Sequence, residues 1–284
     1  MRVPIFLISV ISILFSTSVA QNCGKLDEKQ FKNKSPTTEL NEHPWIARIE
    51  HTEKNGDRTW GCVGVLIDAR RVLTAAHCVS RSSAEVTAVI FGDWDGSNDY
   101  ADPDCNREGL CTPVPQRVAV GEVEVNRNYS PEKVQNDLAI ITLAKDVEFS
   151  DYVQPICLPP VEATRGEIPN ADLIVAGFER PPLRERGEVN LIKERIKMPF
   201  TRTSGEECHK QLAQFPAELI CGSTDRDPLS GSALVEASGT PRKYHLTGVA
   251  VAGFYSKSLK TDFQGYVNIR SHLSWINPSS KTSR

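Results

Sequence analysis

Three residue types spread far apart along the chain could share one piece of chemistry. His77 sits in the run Val72-Leu73-Thr74-Ala75-Ala76-His77-Cys78, Asp137 in Asn136-Asp137-Leu138-Ala139-Ile140-Ile141, and Ser230 in Leu229-Ser230-Gly231-Ser232-Ala233-Leu234-Val235. A serine hydroxyl becomes a strong nucleophile when an imidazole takes its proton, and a buried carboxylate can fix the tautomer of that imidazole. Taken singly, a histidine or an aspartate is usually structural or solvated. The chemistry therefore depends on a fold that brings the three together.

The elements available to do so are those of an all-β protein. Short apolar or alternating runs recur between turn-rich stretches, at Thr59 to Ile67, Thr87 to Phe91, Arg117 to Val125, Leu138 to Leu143, Asp172 to Ala176, Val189 to Met198 and His245 to Ala252. Two segments read as helices, one around Ser204 to Leu212 and one at the C-terminus from Ile269 to Ile276. The stretch from Gln21 to His43 is polar and charged and lacks a strand pattern, so it reads as an extension lying outside the barrel core.

The chain begins Met-Arg-Val-Pro, continues through an apolar run from Ile5 to Phe15, and reaches small residues at Ser18-Val19-Ala20. This predicts a secretory signal peptide over residues 1–20, too short for a membrane span. All eight cysteines lie beyond it, and an even count in an exported chain predicts disulfides. No Cys-x-x-Cys pair suggests zinc. The formal charge of −3, without a basic block, gives no support to nucleic-acid or membrane-surface binding.

The segment around His77, with Cys62-Val63-Gly64 upstream, strongly resembles the histidine motif of chymotrypsin-like serine proteases. The segments around Asp137 and Ser230 resemble that family's aspartate and serine motifs, in the family's order. Pro44-Trp45, Val153 to Pro159, Val175-Ala176-Gly177-Phe178 and Tyr266 through Ile276 are similar too, so the resemblance covers nearly everything after His43. It implies two antiparallel Greek-key β-barrels with a C-terminal helix over residues 44–277, an extension at 21–43 tethered by Cys23, and a tail at 278–284. The loop from Gly92 to Pro115 resembles that of arthropod clip-domain proteases acting in immune and developmental cascades. A clip domain needs a cysteine cluster near the N-terminus; only Cys23 is there, so the clip domain is expected to be missing. The resemblance also implies the bridges Cys62–Cys78, Cys208–Cys221, Cys105–Cys111 and Cys23–Cys157, whereas sequence alone leaves roughly a hundred connectivities open.

The departures from the family pattern gather around Ser230. Active members meet the charge of the tetrahedral intermediate with the backbone N–H of the serine and of the residue two positions earlier. That earlier residue is Pro228, and proline has no N–H. The family's aspartate before the serine, which pairs with an amine released by cleavage, is Leu229, and no cleavage junction is recognisable near Phe31 to Ser35. The family's Ser-Trp-Gly reads Val251-Ala252-Gly253, the bridge expected near Arg226 and after Gly253 is missing, and the base of the specificity pocket falls around Thr224.

The resulting expectation is a secreted, non-catalytic serine protease homologue, whose triad residues persist as buried, hydrogen-bonded core groups. Its expected partners are extracellular proteases, zymogens or other cascade proteins. The alternative is an active or weakly active endopeptidase using His77, Asp137 and Ser230. The resemblance adds a candidate calcium loop with Asp93 and Asp95, against the plainer reading of solvated carboxylates; no other cofactor is expected. Asn33 and Asn128 match the glycosylation pattern, each followed by proline after the hydroxyl residue.

Overall fold

The computed structural model describes residues 22–97, 100–160, 173–180, 194–211 and 216–278. The expected signal peptide, most of the tail and the first part of the run from Val189 lie outside these residues. The first half of the chain forms a closed barrel from β1 (Ile46–Glu53), β2 (Arg58–Leu66), β3 (Arg71–Thr74), β4 (Ala84–Phe91), β5 (Gln116–Val125) and β6 (Ala139–Leu143), paired in the order β1-β2-β3-β6-β5-β4. Ile49, Val63, Val65, Leu73, Val89 and Ile141 fill its interior and are fully buried. Closure leaves no unpaired strand edge.

The second half forms a seven-stranded antiparallel sheet from β7 (Leu173–Gly177), β8 (Ile196–Pro199), β9 (Thr201–Thr203), β10 (Ile220–Ser223), β11 (Ala233–Ser238), β12 (Lys243–Ser256) and β13 (Thr261–Asn268). Its order is β8-β7-β11-β12-β13-β10-β9. The two edge strands, β8 and β9, follow each other in sequence with only Phe200 between them, so the sheet must curl until its edges approach. The two barrels are thus one closed and one half-closed. Four short helices complete the described elements: α1 (Glu28–Lys32), α2 (Ala76–Val79), α3 (Gly205–Gln211) and α4 (Leu273–Ile276), the last preceded by a 3-10 turn at Ile269–His272.

The extension differs from the expectation that it would lie outside the core. Asp27 caps α1 by accepting from the N–H groups of Lys29 and Gln30, and this turns Phe31 inward to join the main core cluster. Phe31, His43, Trp45 and Tyr244 form a chain of ring contacts with centroids 5.0–6.2 Å apart. Lys197 then reaches across from β8 to donate to Gln30 O and to Glu42, both ends of that ion pair being nearly inaccessible. The expected bridge Cys23–Cys157 is present as well.

Burial pushes the Glu42 carboxyl up, and the Lys197 hydrogen bond opposes that shift. Removing one partner of a buried pair leaves the other desolvated and uncompensated, at a cost of about 3–5 kcal/mol. Lys197→Met is therefore expected to lower the unfolding free energy by about that amount in chemical denaturation, and Lys197→Met with Glu42→Gln by clearly less.

Candidate active site

β3 runs into the single turn of α2, which projects His77 from the barrel rim, and the loop before β6 places Asp137 against it. Asp137, 3% exposed, accepts from the His77 backbone N–H through Oδ1 at 2.8 Å and from the ring Nδ1–H through Oδ2 at 2.6 Å. Because an ionised carboxylate only accepts, this pairing leaves His77 Nε2 as the free ring nitrogen. Two of the three predicted residues are thus assembled as an oriented base.

Ser230 comes to the same region by pairing with the first barrel. Cys62 and Ser230 form an isolated parallel bridge, Val63 N donates to Ser230 O at 2.9 Å, and the Cys62–Cys78 disulfide ties that strand to α2. Gly231 permits this approach: its φ is +90°, and a Cβ there would lie 1.8 Å from Val63 O. Gly231→Ala is accordingly expected to prevent the loop from seating, and soluble yield with thermal unfolding would register the loss.

The hydroxyl itself is not joined to the base. Among the described residues its hydrogen-bond contact is Arg180, whose Nη2 donates to Ser230 Oγ at 3.4 Å, and Ser230 is 8% exposed. Arg180 belongs to the segment Phe178–Arg180, which pairs antiparallel with Asp227–Leu229. Arg180 N donates to Asp227 O at 2.7 Å, Leu229 N donates to Phe178 O at 2.8 Å, and Glu179 faces Pro228. Two ion pairs cross this short ladder, Arg180–Asp227 at 3.1 Å and Arg226–Glu179 at 3.0 Å. The cradle beside the serine thus contains a proline ring without an N–H and a neighbouring N–H already committed to another carbonyl. Leu229 is buried in the main core cluster, in keeping with an apolar residue where the family has a carboxylate.

Where the resemblance puts the specificity pocket, the structure places a residue that the sequence does not single out. Thr224, expected at its base, donates its hydroxyl to Arg226 O within its own loop. Gln264 on β13, 4% exposed, lies beside the end of β12 that follows Val251. It faces Gly253 across β12 and β13, a Cβ on Gly253 would lie 2.8 Å from Gln264 Oε1, and its Nε2 donates to Asp227 Oδ1 at 3.3 Å. Arg226 and the strand after Gly253, where the family bridge is missing, are held by Glu179 and by stacking of Phe254 on Phe263, respectively. The opposed dipeptides Glu179-Arg180 and Arg226-Asp227 were the available signal, but they become complementary only once their two loops are known to be neighbours.

The candidate calcium loop does not fit a divalent ion. Asp93 is 1% exposed and its Oδ2 is bonded to Arg48 at 2.7 Å, with the buried Arg195 guanidinium also acting on it. Burial pushes the Asp93 carboxyl up to about 6 against the pull of Arg48. A further cation would meet two guanidinium groups and a carboxyl that is costly to keep ionised. Asp95 accepts from the backbone and hydroxyl of Ser97. Cys62, His77 and Cys78 also cluster, but both sulfurs are in one disulfide and offer no thiolate. Asn33 and Asn128 are both exposed.

A closed barrel and a half-barrel meeting at an oriented His–Asp pair and a serine loop define the body of a chymotrypsin-fold protease. Residues 33–276 match the Trypsin family, and the chain belongs to it. It is 35% identical over 276 residues to phenoloxidase-activating factor 3 of Holotrichia diomphalia, covering 89% of this chain and 73% of that protein. It is 32% identical over 257 residues to the CLIP domain-containing serine protease HP8 of Bombyx mori, covering 84% of this chain and 66% of the relative. Among solved structures, the Drosophila Grass clip serine protease of the Toll pathway superposes with a TM-score of 0.73 at 19% identity, covering 93% of this chain and 75% of that one. The chain is thus similar to insect CLIP-domain serine proteases, whose names include phenoloxidase activation and melanization. Four disulfides fit an oxidising, extracellular setting, and among the described residues no helix is long and apolar enough to cross a membrane.

Proposed function

We propose that this protein is a secreted, non-catalytic serine protease homologue that acts by binding a protease, a zymogen or another protein of an extracellular proteolytic cascade. One observation carries the reading: the position that must supply the second oxyanion donor is Pro228, in a loop annealed to Phe178–Arg180. Losing one such donor costs roughly 2.7–4 kcal/mol of transition-state stabilisation, about a hundred- to a thousandfold in rate. The remaining triad pair supports the reading in a second way. Among the described residues, the Ser230 hydroxyl is contacted by Arg180, while the His77 ring is paired with Asp137 alone.

The similarity to proteins named for phenoloxidase activation and melanization directs the search for a partner toward such cascades. A binding regulator needs its surface and not its hydroxyl. In a reconstituted cascade of purified zymogens, Ser230→Ala is expected to alter the rate of partner activation as much as the wild-type protein does. Loss of that effect in Ser230→Ala would contradict the proposal.

A further inference from the structure

We infer that Asp227 is the latch that closes the cleft, its two carboxylate oxygens holding two separate plugs. Oδ2 pairs with Arg180 Nε at 3.1 Å, which keeps that guanidinium on Ser230 Oγ. Oδ1 accepts from Gln264 Nε2 at 3.3 Å, which keeps that amide against the wall glycine Gly253. One side chain thus governs both access to the serine and the volume of the pocket beside it. This rests on the non-catalytic reading only in taking the closed cleft as the working state.

The geometry makes the latch reversible. The Arg180 and Asp227 side chains are 33% and 43% exposed, so the ion pair is reached by solvent and weakened by salt. Gln264, by contrast, is buried, and without Asp227 its amide hydrogen would lose its acceptor. Asp227 touches no reacting group and is a positioning residue. The backbone pairing of Phe178–Arg180 with Asp227–Leu229 does not depend on its side chain, so the loop should keep its path when the carboxylate is changed.

A thiol placed at the serine tests this without requiring catalysis. All native cysteines are in disulfides, so Ser230→Cys supplies the one free thiol, and its rate of reaction with a small aromatic disulfide reagent reads access to the cradle. In the Ser230→Cys background, Asp227→Ala is expected to raise that rate roughly tenfold. Asp227→Asn, which can still accept from Gln264 but cannot pair with Arg180, should raise it less. Gln264→Gly with Asp227 retained should speed a bulky aromatic reagent more than a small one. High salt should accelerate the Ser230→Cys protein about twofold and leave the Asp227→Ala variant unchanged.

Equal thiol rates with Asp227 retained, with Asp227→Asn and with Asp227→Ala, or an equal salt response in the first and last, would overturn the latch. Should Asp227→Ala fail to fold, Asp227→Asn takes its place, and a thiol rate and a salt response both equal to those with Asp227 retained would overturn the latch. None of these readings depends on whether the wild-type serine can attack a substrate, so the latch and the non-catalytic proposal can fail separately.

Discussion

Restoring the missing donor should be visible as a gain. The double variant Pro228→Gly, Asp227→Ala is expected to react with a fluorophosphonate about a hundred- to a thousandfold faster than the wild-type protein. A glycine regains a backbone N–H at the cradle, and the unpaired Arg180 no longer has to cap the Ser230 hydroxyl. Pro228→Gly alone should recover less. The segment opposite remains annealed to the serine loop, with Leu229 N donating to Phe178 O. The His77–Asp137 pair, already assembled, supplies the base in every variant. The rate is read by intact mass against time. A double variant that reacts no faster than the wild type would contradict the cradle as the seat of the proposed loss of activity.

The second large effect is on stability. Cys23–Cys157 closes a loop spanning a sequence separation of 134 residues, and Cys23→Ser with Cys157→Ser is expected to cost about 5 kcal/mol by the chain-entropy relation. In a domain of this size that corresponds to a fall of roughly 10–20 °C in Tm. Without the bridge, the extension would still be held by Phe31, the Lys197 contacts, the hydrogen bonds of Gly24 with Pro155 O and Tyr244 N, and those joining Thr38 and Leu40 to Arg195. These are enough to hold α1 in place but not to limit the unfolded chain. An unchanged Tm in the absence of reductant would contradict this account of the tether.

The fold class was legible because the strand runs and the ordered motifs pointed the same way. The run read from Arg117 to Val125 is β5 over Gln116–Val125, and the helix read around Ser204 to Leu212 is α3 over Gly205–Gln211. All four bridges implied by the resemblance are present. β1 was missed for a physical reason. Three of its polar residues are buried: Arg48 meets Asp93, Glu50 meets Arg117 and Thr87, and His51 meets Cys78 O. A pattern reading assumes that charge faces solvent, so such a strand has no recognisable alternation. The same assumption hid the extension, whose Glu42 is paired inside the fold with Lys197.

At the site, the chemistry carried by residue type was legible and the chemistry carried by contact was not. Proline announces its missing N–H in any sequence, so Pro228 could be singled out directly. Arg180, Asp227 and Gln264 are ordinary polar residues until the fold sets them around Ser230, and nothing local to any of them marks it. At the candidate calcium loop, residue type alone does not decide. Asp93 and Asp95 have the right types for an ion, and the partner that decides the matter, Arg48, comes from a different strand.

On the proposed reading, the cradle around Ser230 does not stabilise an attacked carbonyl or phosphonyl group, because Pro228 supplies no N–H. Incubating the purified wild-type chain with excess fluorophosphonate, beside Ser230→Ala, and weighing the intact protein addresses it with one measurement. No mass gain is expected in either sample over a period that fully labels an active protease of the same fold. Stoichiometric addition to the wild type, absent in Ser230→Ala, would contradict that reading.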